Sequence, residues 1–210
     1  MAILYELKEQ EKVYQTWAKF YDKIYLKLLA ASQRKVAEAA TQSGPRILEV
    51  GVGTGLVLRY YGPDTEVIGA DLSVPMLRKA QEKVRNLSLH HVRGVVAMDA
   101  CNLGFPDACF DAVSVPFVIT LVPNPEGALD EIVRVLKPGG TIAIVSRFGA
   151  ESGPQAALEA MIAPLMKKVG WSSSFKVSRV TDWAKGHGGV EFVDVQPGLY
   201  FKLVRLKKKA

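Results

Sequence analysis

The chain has 210 residues, of which 49% are hydrophobic and 23% charged, and its formal net charge is +6. This length allows one α/β domain with a sizeable core, and the composition excludes both a disordered chain and a small disulfide-stabilised one. Cys101 and Cys109 have no Cys or His companions at metal spacing, so we expect a reducing cytoplasm and no metal site. Residues 1–20 lack the pattern of a signal peptide, and no apolar run is long enough to span a bilayer.

The predicted elements begin with one or two amphipathic helices in residues 1–44, where apolar residues recur at helical spacing from Ile3 to Leu28. Gly44 and Pro45 are typical of a helix end. Basic residues are scattered along this segment and crowd the last nine positions of the chain. Such clusters suit an anionic surface of lipid or nucleic acid, but they are as often merely solvated faces.

From residue 46 onwards, short apolar runs alternate with longer amphipathic stretches. The predicted strands are Arg46–Val50, Val67–Ala70, a segment within Leu89–Met98, Phe110–Val115, Thr141–Ser146, Val190–Val195 and Leu199–Leu206. The predicted helices run from the first glycine turn to about Tyr61, then Val74–Leu87, Pro125–Leu136, and Pro154 to about Val169. This alternation predicts, for residues 45–210, one globular unit with a parallel sheet covered by helices on both faces. The last two strands, divided by Pro197-Gly198, predict an antiparallel hairpin with a tight turn at one edge.

A glycine-rich turn follows the first strand, with the sequence Glu49-Val50-Gly51-Val52-Gly53-Thr54-Gly55. Ligands of parallel sheets bind where the strands end, and glycines there allow a tight turn and a close approach to backbone amides. The spacing is G-x-G-x-G after an acid, whereas a pyrophosphate is seated by G-x-G-x-x-G. The turn therefore favours a donor without phosphate, with a carboxylate at the N-terminus of the following helix.

Acidic side chains end the next two strands. Asp71 is placed to accept hydrogen bonds from both hydroxyls of a ribose. Asp99 is placed to accept one from the exocyclic amine of adenine, with Leu72, Met76 and neighbouring apolar atoms around the ring. Together with the glycine turn, these residues predict an adenosyl ligand.

The block from Arg46 to Ser146 resembles the class I S-adenosylmethionine-dependent methyltransferases. The motifs that carry the resemblance are E-x-G-x-G-T-G at Glu49–Gly55, D-x-S-x-x-M at Asp71–Met76 and L-K-P-G-G at Leu136–Gly140. The family implies a Rossmann-like, mostly parallel seven-stranded sheet in the order 3-2-1-4-5-7-6, with S-adenosylhomocysteine as the product of the donor. The donor contacts that it implies are Glu49, Gly51, Gly53, Thr54, Gly55, Asp71, Leu72, Met76, Asp99, Ala100, Val115 and Pro116.

Segments that extend beyond that block are similar to bacterial phospholipid N-methyltransferases, which convert phosphatidylethanolamine to phosphatidylcholine. They are Tyr14–Asp22, Val115–Pro125 and Arg147–Glu151. The resemblance implies a phospholipid acceptor and reversible binding to the inner membrane surface through residues 1–44, and we expect a monomer. Relatives often have histidine at the position of Arg147, which leaves the role of that position open.

Aromatic residues are the predicted catalytic groups. Methyl transfer requires a neutral amine aligned with the methyl group and shielded from water. Aromatic faces also hold methylated ammonium groups well. Tyr14, Tyr21 and Phe117 are therefore predicted to surround the acceptor, whereas Trp17 is predicted to pack the N-terminal helix, and we expect no catalytic histidine.

Three other functions stay open. A quinone or other small-molecule methyltransferase would share every donor motif. A nucleic-acid methyltransferase is less favoured, because Val115-Pro116-Phe117-Val118 stands where an N-P-P-Y type motif is expected, and we expect no nucleic-acid partner. A regulatory protein that binds the donor without catalysis is the third.

Overall fold

The computed structural model describes residues 29–153, 161, 175–198 and 200–210. Its strands are β1 (Arg46–Val50), β2 (Glu66–Asp71), β3 (Val92–Ala97), β4 (Phe110–Pro116), β5 (Leu136–Ser146), β6 (Val190–Gln196) and β7 (Lys202–Lys208). The helices are α1 (29–41), α2 (Val74–Asn86), α3 (Pro125–Val135) and α4 (Val177–His187). Residues 1–28, with Tyr14 and Tyr21, and most of the helix predicted from Pro154 lie outside the described residues.

The seven strands form one sheet in the order β3-β2-β1-β4-β5-β7-β6, which confirms the predicted order. Strands β1 to β5 are parallel, whereas β7 runs antiparallel to both β5 and β6. Ser146, the last residue of β5, pairs with Lys202, the first residue of β7. The carboxyl edge of the parallel strands is therefore also the edge where the β6–β7 connection arrives.

The core lies in two layers, one on each face of the sheet. Leu48 and Val50 of β1 belong to the layer under α3 and α4, and Ile47 belongs to the opposite layer under α1 and α2. Successive side chains of a strand point to opposite faces, so a strand covered on both sides is apolar at most of its positions. No helix in the described ranges has the length and apolar content needed to cross a bilayer.

The start of α3 is fixed by local sequence as predicted. Asn124 Oδ1 accepts a hydrogen bond from the backbone N–H of Gly127 at 3.1 Å, and Pro125 occupies the first turn. A side-chain acceptor satisfies one of the exposed amides at a helix start, and proline loses nothing there. The cap thus fixes the start of α3, and with it the end of the segment that joins β4 to α3.

The predicted helix after the glycine turn is wrong. The chain forms only a 3₁₀ turn at Leu58–Tyr60. Gly53 and Gly55 have φ angles of 53° and 74°, so no right-handed helix can begin before residue 56. A three-residue turn has no N-terminal anion site. The prediction that a carboxylate binds at a helix N-terminus there is therefore wrong as well.

Three further elements differ from the prediction. Helix α4 was not predicted, and His187, expected in a loop, is its last residue. Strand β6 ends at Gln196 and β7 begins at Lys202, so Tyr200 and Phe201 lie outside the strand that was predicted from Leu199. Strand β5 begins at Leu136, and its register with β4 shifts across the Lys-Pro-Gly-Gly segment that was predicted to be a turn.

Candidate active site

A cavity opens at the carboxyl edge of the sheet, where β1, β2, β3 and β4 end. It is lined by Val50, Gly51, Ala70, Asp71, Leu72, Met98, Asp99, Ala100, Val118, Leu121, Val122 and Pro123. Its volume of about 150 Å³ is below the roughly 300–1,000 Å³ of pockets that enclose a whole drug-sized ligand. The cavity therefore suits one part of a larger molecule, and its two carboxylates suit the adenosine part.

Gly51 brings the end of β1 against the segment that follows β4. Its φ is 76°, and a Cβ at this position would overlap the side chain of Val118. A side chain there would be strained by the backbone angle and would also displace Val118, which lines the cavity. This position must therefore be glycine if the cavity is to keep its shape.

We expect Gly51→Ala to lower the free energy of unfolding by about 2–5 kcal/mol, from left-handed strain and overpacking, and to weaken donor binding at least tenfold. Thermal melts and calorimetric titration with S-adenosylhomocysteine measure both effects. Gly186→Ala is the matched control, because a Cβ there meets no described atom within 4 Å and alanine suits a helix. Equal behaviour of the two variants would contradict the packing argument.

Asp71 is held rigidly at the wall of the cavity. Its Oδ2 accepts a hydrogen bond from the backbone N–H of Gly53 at 2.8 Å, and its Oδ1 accepts one from Ser73 at 2.8 Å. Each carboxylate oxygen still has a second lone pair. Asp99 is oriented in the same way, since its Oδ1 accepts from the backbone N–H of Cys101 at 2.9 Å. Both acids can thus present fixed acceptors to a ligand.

The rim of this cavity is apolar and exposed. Leu72 and Leu121 line it, yet 74% and 68% of their surfaces remain exposed, and the nearby Met76 is 47% exposed. Exposed apolar clusters of this kind are characteristic of ligand grooves and interaction surfaces. Leu72 and Met76 were predicted here, whereas no donor contact was predicted in the wall segment from Val118 to Pro123.

Seven of the predicted donor residues lie outside the cavity wall. They are Glu49, Gly53, Thr54, Gly55, Met76, Val115 and Pro116. Val115 and Pro116 are buried in β4, and the carbonyl oxygen of Thr54 accepts a hydrogen bond from Lys83 Nζ at 2.8 Å. That these seven residues contact a donor stays a prediction. The described contacts of Val115, Pro116 and Thr54 stabilise strand β4 and the glycine turn.

A buried polar cluster lies beside the glycine turn. Glu49 on β1 pairs in register with Ser114 on β4, and both are 0% exposed. The carboxyl oxygens of Glu49, the hydroxyl of Tyr61 and Ser114 Oγ have no well-formed hydrogen bond among the described residues. Burial disfavours the charged form of Glu49 and raises its pKa from 4.5 to about 8. The Tyr61 hydroxyl lowers that pKa, but by less than burial raises it. The carboxyl group is therefore protonated at neutral pH.

Phe117 begins a row of aromatic side chains. It has a φ of 60°, which is unusual for a bulky residue, and its N–H donates to Val145 O at 2.6 Å. Its ring lies 5.0 Å from that of Phe201, which lies 5.5 Å from Tyr200. The guanidinium of Arg147 lies 4.8 Å from the centre of the Tyr200 ring. Sequence reasoning predicted Phe117 but missed Tyr200 and Phe201, whose only local signal is an aromatic pair after Pro-Gly.

Comparison with known proteins adds independent information. A family model described as a methyltransferase domain matches residues 48–144. The chain is 38% identical over 204 residues to a phosphatidylethanolamine N-methyltransferase of Cereibacter sphaeroides, a match that covers 97% of this chain and 100% of that protein. It is 40% identical over 117 residues to a demethylmenaquinone methyltransferase of Thermus thermophilus, which covers 54% of this chain and 52% of that protein.

Solved structures show the same fold at low identity. An S-adenosylmethionine-dependent methyltransferase from Aquifex aeolicus gives a TM-score of 0.62 at 21% identity, covering 82% of this chain and 89% of that one. The YcgJ protein of Bacillus subtilis gives 0.72 at 16% identity, covering 86% and 99%. At these identities the likeness establishes the fold alone, because one fold hosts many functions.

Proposed function

The chain belongs to the S-adenosylmethionine-dependent methyltransferases, and we propose that it transfers methyl groups to the amine of phosphatidylethanolamine and of its mono- and dimethyl forms, yielding phosphatidylcholine. The observation that carries this proposal is the match to a phosphatidylethanolamine N-methyltransferase along 97% of the chain and the whole of that relative. The match extends beyond the donor-binding half, which all members of the family have in common. A match of this extent supports an acceptor in common with that relative.

The described residues fit the donor. Asp71 would hold the ribose hydroxyls and Asp99 the adenine amine, while the turn that begins at Gly51 brings its backbone close to the ligand. When bound, S-adenosylmethionine supplies a methyl group on a sulfonium, which is open to in-line attack by an amine. The protein contributes binding, alignment and the exclusion of water. Because Asp71 and Asp99 are assigned to the donor, we expect the amine to lose its proton to solvent before the transfer.

Membrane binding is a further part of the proposal. Arg34 and Lys35 are exposed on α1, at the end of the amphipathic segment, and basic residues beside an amphipathic helix favour an anionic bilayer surface. The basic tail contributes less than its sequence indicates. Arg205 is paired with Asp194, and Lys208 Nζ donates to carbonyl groups at the end of α3, so both side chains serve the fold.

A quinone acceptor is the second candidate, supported by relatives such as the demethylmenaquinone methyltransferase of Listeria welshimeri, 34% identical over 67% of this chain and 64% of that protein. Donor binding does not separate the two candidates. A phospholipid amine and a quinone ring differ instead in charge and in the phosphodiester group.

The experiment that tests the proposal supplies labelled S-adenosylmethionine with either phosphatidylethanolamine vesicles or a demethylated quinone. We expect label in mono-, di- and trimethylated lipid, and none in the quinone. Asp71→Ala serves as the inactive control, which excludes a contaminating enzyme. Label in the quinone alone would replace the proposed function with the second candidate.

A further inference from the structure

A second cavity lies at the same edge of the sheet, between α1, the end of β5 and the β6–β7 connection. Its wall includes Lys35 of α1, Val145 of β5, and Tyr200 and Phe201 of the connection. Its volume is about 130 Å³, which suits a headgroup and not a whole lipid. Among the described lining residues Lys35 is charged and none is acidic, so the cavity favours an anion.

Two cations belong to this part of the molecule, one at the cavity wall and one stacked on Tyr200. Lys35 lies at the cavity wall, is exposed, and makes no ion pair with any residue in the described part of the chain. The guanidinium of Arg147 lies 4.8 Å from the ring centre. A guanidinium carries five N–H donors in a planar fork that matches the oxygen atoms of a phosphate. Stacking on an aromatic ring holds that fork in place at little entropic cost.

The aromatic row joins this cavity to the donor cavity. Phe201 lines the second cavity, and its ring contacts the ring of Phe117. Val118, which follows Phe117 in the chain, lies beside Gly51 in the wall of the first cavity, the one assigned to the donor. In the sheet order only β4 lies between β1 and β5, so the two cavities open near each other at one edge of the sheet. An acceptor bound along this edge would place its amine toward the donor and its phosphate toward Arg147.

We propose that this second cavity binds the phosphodiester group of the acceptor through Lys35 and Arg147. The inference rests on the proposed function for the class of acceptor, and it goes beyond that function by assigning the residues that select a phosphate-bearing amine. A quinone has no anionic group for these cations to bind.

Direct binding tests the proposal without turnover. Glycerophosphoethanolamine, ethanolamine and inorganic phosphate are titrated by calorimetry into the protein saturated with S-adenosylhomocysteine. We expect Lys35→Gln and Arg147→Gln each to weaken glycerophosphoethanolamine binding about tenfold or more, the range for losing a charge-assisted hydrogen bond, and to leave ethanolamine binding unchanged. Lys79→Gln, an exposed lysine on α2, is the matched control and should bind as the wild type does.

Turnover supplies the second readout. With phosphatidylethanolamine in neutral detergent micelles, which remove surface charge, we expect both variants to raise KM about tenfold while kcat changes less than threefold. Affinity for S-adenosylhomocysteine should stay constant. Circular dichroism establishes whether Arg147→Gln folds. If it does not, Lys35→Gln alone tests the proposal, because the Lys35 side chain is exposed.

The outcomes separate this inference from the proposed function. Methylation of phosphatidylethanolamine with unchanged probe binding and KM in the folded variants would overturn the phosphate site and leave the function intact. Binding of the phosphate probe that depends on Lys35, without lipid turnover, would overturn the function and support the site. Binding of inorganic phosphate but not of glycerophosphoethanolamine would show a site for free phosphate and overturn the inference.

Discussion

Replacing Asp71 with alanine is expected to weaken binding of S-adenosylmethionine and S-adenosylhomocysteine at least 100-fold. Hydrogen bonds to a charged group contribute about 1.5–3 kcal/mol each. Loss of two from a ribose therefore costs about 3–6 kcal/mol, or about 10²- to 10⁴-fold in affinity. The carboxylate also fixes the amides of Gly53 and Ser73, so the same change loosens the turn that faces the donor. Calorimetric titration with S-adenosylhomocysteine measures the loss.

Two further variants make this result specific. Asp71→Asn retains one carbonyl oxygen, which can serve Gly53 or Ser73 but not both, so we expect an intermediate affinity. Asp64→Asn removes an exposed carboxylate outside the cavity wall and should bind the donor as the wild type does. An Asp71→Ala protein whose affinity stays within threefold of the wild type would show that the ribose is held elsewhere.

The part of the site built from local motifs was predictable from sequence. Gly51 follows β1, Asp71 is the last residue of β2 and Asp99 lies two residues after β3, and the ends of parallel strands meet at one edge whatever the loops between them do. The sequence therefore predicts that the three residues lie together at that edge. Their hydrogen bonds to backbone amides explain how the acids are oriented, a detail that residue spacing does not contain.

The acceptor side was not predictable in the same way. Phe201 contacts Phe117, and Tyr200 contacts Phe201, between segments that are distant in sequence. The strand order alone does not encode such side-chain contacts. Pro197-Gly198 was expected to form a tight turn with Tyr200 and Phe201 inside the next strand, whereas both residues precede β7.

Helix prediction failed where backbone geometry outweighed the apolar pattern. The stretch after Gly55 has buried apolar residues such as Val57 and Leu58, but the positive φ angles of the preceding glycines leave only a short segment in which a helix could form. For α4 the failure was the reverse. The buried Val177, Val180 and Ala184 have helical spacing, but Gly186 and the glycines after His187 favoured a loop.

The buried carboxyl group of Glu49 leads to the second large prediction, a decline in stability as the pH rises. Its pKa is about 8 in the folded protein, chiefly because burial penalises the charged form, and 4.5 is its ordinary value. Between these values the folded state holds a proton that the unfolded state has released. Stability therefore falls as pH rises through this window, by about 1.4 kcal/mol per pH unit. Below pH 4.5 the carboxyl group is protonated in both states, so this stabilisation is fully present and no longer changes with pH.

Glu49→Gln should remove this dependence, because the amide has the shape of the protonated acid and does not ionise in this range. From pH 5 to pH 8 we expect the variant to gain about 4 kcal/mol in free energy of unfolding relative to the wild type. Urea unfolding at each pH measures it. Glu38→Gln, an exposed carboxylate on α1, should change nothing. Parallel stability curves for wild type and Glu49→Gln would mean that Glu49 is charged in the folded protein at these pH values, and hence that its surroundings stabilise the anion at least as much as burial disfavours it.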